Sequence, residues 1–321
     1  MNQNPPVASS GSLIERAAEI YGLREAMRGA AAAAPAPIAP VVFDLPVEAA
    51  VVAPPVFAPA PAVARAPDLS RPPVAGKAAH VDLAALSEAG FIVPGAPPSP
   101  LSEEFRLVKR QLLLQAFGGR NSAPLDKGRL ILMCSAQPNE GKTFCSVNLA
   151  LSMATETDIE VLLVDADVAK PEILSTLGLP GGPGLMDALS DPTRDIESLV
   201  IRTNIAGLSV LPAGRQTNHD TELLASARTH DLIDRLAGAN PRRVIIFDSA
   251  PALAASPASA LALHVGQIAL VVRADQTTES ELRESLAMLE GNARIQMMLN
   301  GVTYSGSNRK FGYYYGFGEK S

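Results

Sequence analysis

The sequence predicts an α/β domain built on a mostly parallel, doubly wound sheet. Three observations carry this prediction. Apolar runs of strand length recur at residues 130–134, 161–164, 208–211, 244–247, 268–272 and 295–299, and helical stretches separate most of them. The runs are continuously apolar rather than alternating, as strands buried on both faces are. The first run leads into a turn ending Gly141-Lys142-Thr143 and then a helix, the strand–loop–helix context of a phosphate-binding loop. Ligands of open α/β sheets sit at the carboxyl ends of the strands, and this turn lies at such an end.

Residues 1–99 read differently. Seventeen of the 27 prolines precede residue 101. Proline interrupts helices and strand ladders alike, so the stretch reads as a disordered, semi-rigid Pro/Ala-rich linker. Near its start, residues 12–22 read as a short helix capped by Ser12, with Leu13, Ala17 and Ile20 on one face. It is either a tethered docking element or a nascent helix without a partner. A second helical patch covers 81–90. The α/β domain is expected over 100–303, and a tail over 304–321.

The formal charge of −6 offers no broad basic surface, which argues against a nucleic-acid partner. Two cysteines fit a reduced, cytoplasmic protein. No basic n-region leads into an unbroken apolar core, so no signal peptide is read. No membrane-spanning stretch is read either, since the nearest apolar segment, 41–63, is broken by Asp44, Glu48 and several prolines. His219 and His230 lack metal-ligand spacing.

The domain opens with a helix. Phe105, Val108, Leu112 and Ala116 share one face, while Glu103, Arg106 and Lys109 follow one another at intervals of three on another. Such a row is ordinarily a solvated face of i, i+3 pairs.

The loop after the first strand is Ser135-Ala136-Gln137-Pro138-Asn139-Glu140-Gly141-Lys142-Thr143-Phe144. The backbone of residues 136 to 144, through its N–H groups at every position but Pro138, would cradle phosphate oxygens, and the helix N-terminus adds its positive dipole end. Lys142 would reach the β- and γ-phosphates, and Thr143 would offer its hydroxyl to Mg²⁺. Ala136 replaces the glycine usual five residues before Gly141. Against a chance Gly-Lys-Thr, Phe144, Val147, Leu151 and Ala154 recur at helical spacing.

Two further strands end in acids. Asp165 and Asp167 follow the 161–164 run, and Asp248 follows 244–247. A carboxylate there can hold Mg²⁺ opposite the loop, and one of Asp165 and Asp167 can instead take a proton from an attacking hydroxyl. Their i, i+2 spacing on extended chain sends both side chains the same way. The competing reading is that acids merely solubilise strand ends.

A loop ending Glu140-Gly141-Lys142-Thr143, a strand ending Asp165-Ala166-Asp167 and a third ending Asp248-Ser249-Ala250-Pro251 together resemble the three Walker motifs of bacterial tyrosine kinases from exopolysaccharide loci. These are P-loop NTPases sharing a fold with the Min/Par partition ATPases. The resemblance covers roughly residues 100–315, and the stretch starting at Ser12 is similar to the exosortase-associated subgroup. It implies ATP and Mg²⁺ as cofactors and Lys142, Asp165 and Asp167 as catalytic residues. Thr143, Asp165 and Asp248 would hold the metal, and Asn300 would contact adenine. The row Glu103, Arg106, Lys109 resembles the family's Glu-x-x-Arg-x-x-Arg motif, which implies the subunit contact of a homo-oligomeric ring. There are departures. Ala169 stands where the family has Arg, with Lys170 the nearest cation, and Asp248-Ser249-Ala250-Pro251 replaces Asp-Thr-Pro-Pro.

Four of the five tyrosines, Tyr304, Tyr313, Tyr314 and Tyr315, lie in the last 18 residues among Gly, Ser and Asn. Such a segment is expected to be mobile, and its phenols are candidate phosphoacceptors, as the resemblance also implies. The alternative is an aromatic patch that packs on the domain or binds a partner. The sequence therefore reads as an ATP-dependent protein-tyrosine autokinase regulating exopolysaccharide synthesis or export. It would be cytoplasmic and held at the inner membrane through a polysaccharide chain-length or export protein that activates it. The alternative function is a partition-type switch ATPase that assembles on a surface.

Overall fold

The computed structural model describes residues 77–291 and 293–302. The predicted helix at 12–22, most of the predicted linker, and Tyr304, Tyr313, Tyr314 and Tyr315 lie outside the described residues.

In chain order the elements are β1 (Ala78–Ala79), α1 (Leu83–Glu88), α2 (Pro100–Phe117), β2 (Leu130–Ser135), α3 (Lys142–Met153), β3 (Glu160–Ala166), α4 (Ile173–Thr176), α5 (Leu185–Ser190), β4 (Ile201–Thr203), β5 (Leu208–Leu211), α6 (Asp220–Leu224), α7 (Ala227–Ala239), β6 (Arg243–Ser249), α8 (Pro257–Ala262), β7 (Gln267–Arg273), α9 (Glu279–Met288) and β8 (Arg294–Asn300). The strands form one sheet in the order β1-β4-β5-β3-β6-β2-β7-β8. Every neighbouring pair is parallel except β4 and β5.

The period of two along each strand divides the core into two layers. Leu130, Leu132 and Cys134 of β2, Leu162 and Val164 of β3, and Ile245 and Phe247 of β6 pack beneath α5, α7 and α8. Ile131 and Met133, Val161 and Leu163, and Val244 and Ile246 face the other way, toward α1, α2 and α3. Both cysteines are buried and unbridged. Among the described residues no helix is long and apolar enough to cross a membrane.

The fold reaches further toward the N-terminus than residue 100. β1 pairs with β4, and Val81, Leu86 and Ile92 are buried in the α3 layer. The Asn148 side chain accepts from Ile92 N–H at 2.8 Å, and Asn204 accepts from Val81 N–H at 2.7 Å. α1 lies within the helical patch read at 81–90, whereas nothing in the sequence around residues 78–79 marks β1. Residues 77–99 are thus folded chain, not the linker that the proline content predicted.

Candidate functional site

Gly141 closes the turn after β2. Its φ of +92° is left-handed, and a Cβ there would lie 2.2 Å from Asn300 Nδ2, so glycine is required by both conformation and space. Asn139 is also left-handed, at φ +66°. Ser135 Oγ donates to Gln137 O at 2.8 Å, and Glu140 accepts from Gln137 N–H at 3.0 Å. The outer side of the loop is braced by β7, α9 and β8. Glu140 meets the Thr277 hydroxyl, Gln137 Nε2 donates to Glu281 at 3.1 Å, and Asn300 Nδ2 donates to Glu140 O at 2.9 Å. Arg273 reaches Asn139 O at 3.4 Å.

Register places the acids. Asp165 of β3 is paired directly with Asp248 of β6, and Asp248 is paired with Met133 of β2. Both acids fall on the residue parity that faces the α3 layer, so they point at the helix that the loop opens. The two carboxylates are essentially buried. Burial first, then the charge of Asp248, raises the Asp165 carboxyl to about 7, although its Oδ2 accepts from Ile173 N–H at 3.1 Å. Burial raises Asp248 to about 6, opposed by Lys142 and by the Thr143 and Ser146 hydroxyls. Ser146 Oγ donates to Asp248 Oδ1 at 2.9 Å.

Lys142 Nζ lies 2.8 Å from Asp167 Oδ2, with both side chains about nine-tenths buried. Burial alone would lower the lysine, but Asp248 and the bond to Asp167 carry it above its ordinary value. One mouth therefore holds the turn closed by Gly141, one buried ammonium and three carboxylates.

Asp165 Oδ1 and Asp248 Oδ2 are buried without a hydrogen-bond partner. Orphaned carboxylate oxygens cost stability unless a cation or water meets them. Among the described residues no three His, Cys, Asp or Glu side chains are placed to hold a metal unaided. This donor set suits Mg²⁺, which uses one or two carboxylates and completes its shell with phosphate oxygens and water.

The remaining predicted residues divide. Asn300 lies at the loop, but its amide nitrogen is engaged with Glu140 O rather than presented to a base. The ring of Phe144 lies 5.0 Å from that of Phe91 and joins the α3 layer. Lys170 pairs at the surface with Glu172 at 2.8 Å. Glu103 and Arg106 form the expected i, i+3 pair at 2.7 Å. Lys109 does not join that row. It is buried, donates to Ser152 O at 2.9 Å and Thr155 Oγ1 at 3.0 Å, and pairs with Glu156 at 2.7 Å. It ties α2 to the C-terminal end of α3. Sequence reasoning missed Ser146, one helical turn beyond Lys142, and Thr277, which lies 137 residues from Glu140 and carries no local signal.

No protein-family model matches the chain. Among curated proteins it is 30% identical over 224 residues to the putative tyrosine-protein kinase EpsB of Ralstonia nicotianae, covering 70% of this chain and 28% of EpsB. It is 28% identical over 222 residues to the tyrosine-protein kinase YwqD of Bacillus subtilis, covering 68% of this chain and 88% of YwqD. The chain thus spans less than a third of the length of EpsB and nearly all of YwqD. Among solved structures it is similar to the kinase domain of VpsO, with 30% identity, a TM-score of 0.51, and coverage of 64% of this chain and 100% of that one. The kinase domain of the Escherichia coli tyrosine kinase ETK superposes with a TM-score of 0.59 at 25% identity, covering 68% and 82%.

Proposed function

Because the chain belongs to the bacterial tyrosine-protein kinase family, we propose that it is an ATP-dependent protein-tyrosine autokinase acting on Tyr304, Tyr313, Tyr314 and Tyr315. The observation that carries this reading is the mouth described above, where Lys142 and Asp167 pair at 2.8 Å beside two buried carboxylates with orphaned oxygens.

The loop amides and Lys142 bind and orient the phosphates of ATP. For this, the ammonium exchanges Asp167 for phosphate oxygens, a short move for a flexible side chain. Thr143, Asp165 and Asp248 are the residues that would hold Mg²⁺, with Ser146 fixing the Asp248 rotamer. Bound Mg²⁺ supplies neutralisation of phosphate charge. A tyrosine phenol oxygen bonds to the γ-phosphorus as the bond from that phosphorus to the β–γ bridging oxygen breaks, and ADP leaves. The phenolic proton passes to Asp165 or Asp167, whose carboxylates lie at the same strand end. Most of the acceleration comes from positioning and charge.

The finer reading is that this autophosphorylation regulates exopolysaccharide synthesis or export. A membrane polysaccharide chain-length or export protein would recruit and activate the chain, and transfer would run between copies in a ring. Phosphotyrosine immunoblotting of the purified chain with Mg²⁺–ATP, with and without that partner, tests it. We expect a signal that EDTA abolishes and that falls at least about tenfold when all four tyrosines become phenylalanine. Steady ATP hydrolysis without phosphotyrosine, partner present, would instead support a switch ATPase.

A further inference from the structure

β8 ends the sheet, and its outer edge is unpaired among the described residues. Arg294 N–H bonds Gly266 O, and Asn300 O accepts from Ala274 N–H, so both of these residues turn their backbones inward. By the period of two in a parallel ladder, Ile295, Met297 and Leu299 turn their N–H and C=O groups outward. Ile295 packs on the core, but Met297 is 60% exposed and Leu299 62% exposed on the same face. An apolar edge with free backbone groups is a template for another strand.

The chain itself carries a segment of matching length. β8 has seven residues, and Phe311-Gly312-Tyr313-Tyr314-Tyr315-Gly316-Phe317 has seven. Phe311, Tyr313, Tyr315 and Phe317 recur every second residue, so extended chain sets four aromatic rings on one face. Between the two stand ten residues, 301–310. They open with Gly301 at φ +68° and include Ser305-Gly306-Ser307-Asn308, which is turn chemistry. Ten residues reach roughly 30 Å when extended, ample to reverse direction across a strand spacing of about 4.8 Å.

We propose that residues 311–317 dock in cis as a ninth strand, antiparallel to β8, in the register that sets Tyr313 opposite Leu299 and Tyr315 opposite Met297, so that the aromatic rings lie over those two side chains. Docking holds Tyr313 and Tyr315 against the sheet edge, so an undocking step must precede their use as acceptors. That consequence rests on the kinase reading, whereas docking itself does not. A phosphate on either ring would add about −1.5 to −2 charge, which the apolar edge cannot accommodate, so modified tails stay released.

The test is amide hydrogen exchange on the full, phosphatase-treated chain without nucleotide, which keeps the outcome independent of phosphotransfer. Residues 311–317 and the amides of Met297 and Leu299 should exchange at least about tenfold more slowly than in Met297→Glu/Leu299→Glu. A second variant, with Phe311, Tyr313, Tyr315 and Phe317 all changed to Ser, leaves the described fold untouched. It should release Met297 and Leu299 equally. Exchange of 311–317 at the rate of an unstructured peptide in wild type, or protection unchanged in both variants, overturns the proposal. Protection that disappears on dilution would place the strand on a second copy and overturn docking in cis.

Discussion

Asp165→Asn separates a functional carboxylate from a structural one, because the two roles predict opposite changes in stability. Asp165 is buried opposite Asp248, and its carboxyl is raised to about 7 from 3.8. A carboxyl whose folded value is raised stabilises the fold below its unfolded value, and that contribution is lost as pH rises through the folded value. At about 1.36 kcal/mol per unit, the raised Asp165 costs about 4 kcal/mol at pH 7.5, where it is largely ionised, but only about 2 kcal/mol at pH 5, where folding protonates it. Asparagine removes this cost. Its carbonyl keeps the Ile173 N–H bond, while its NH₂ replaces Oδ1, which has no partner. The orphaned donor returns about 1–3 kcal/mol. The difference leaves a net gain of about 1–3 kcal/mol at pH 7.5, or several degrees in Tm at about 2–4 °C per kcal/mol, and none at pH 5. Thermal melts of the nucleotide-free protein at the two pH values provide the assay, alongside phosphotransfer, which should fall by about 10²-fold. A variant less stable than wild type at pH 7.5, with turnover intact, would refute the reasoning and make Asp165 a structural acid.

Three more outcomes follow from named contacts. Lys109→Met should lower stability by about 1–3 kcal/mol in urea denaturation, since Ser152 O and Thr155 Oγ1 lose the buried ammonium while half-exposed Glu156 stays solvated; an unchanged midpoint would return Lys109 to a surface role. Ser146→Ala frees Asp248 Oδ1 from its 2.9 Å donor, so it should weaken Mg²⁺-dependent nucleotide binding several-fold in calorimetry while leaving metal-free binding nearly unchanged. Gly141→Ala meets Asn300 Nδ2 at 2.2 Å in a left-handed conformation and should cost nucleotide affinity at least tenfold by about 1.4 kcal/mol or more; pairing it with Asn300→Ala should restore only the steric part.

Most of the fold was legible because its strands are buried on both faces. All six predicted runs are strands, each extended by at most two residues at an end. β1 and β4 were not legible, at two and three residues, because so short a strand has no period to detect. The acids were legible as types at strand ends, and their mutual opposition followed from register that only the folded sheet supplies. Lys109 was misread because helical spacing alone does not show that α3 covers that side of α2. The brace from Thr277 to Glu140 was invisible for the same reason, since contacts between distant segments leave no spacing in the chain.

In the proposed mechanism, Lys142 positions ATP for transfer to tyrosine. The most direct measurement is mass-spectrometric phosphosite mapping after incubation with Mg²⁺–ATP, comparing wild type with Lys142→Met under conditions where both melt cooperatively. Phosphate on Tyr304 and on Tyr313 to Tyr315 in wild type, and on none of them in Lys142→Met, is the predicted result. Equal tyrosine occupancy in a folded Lys142→Met protein would contradict it.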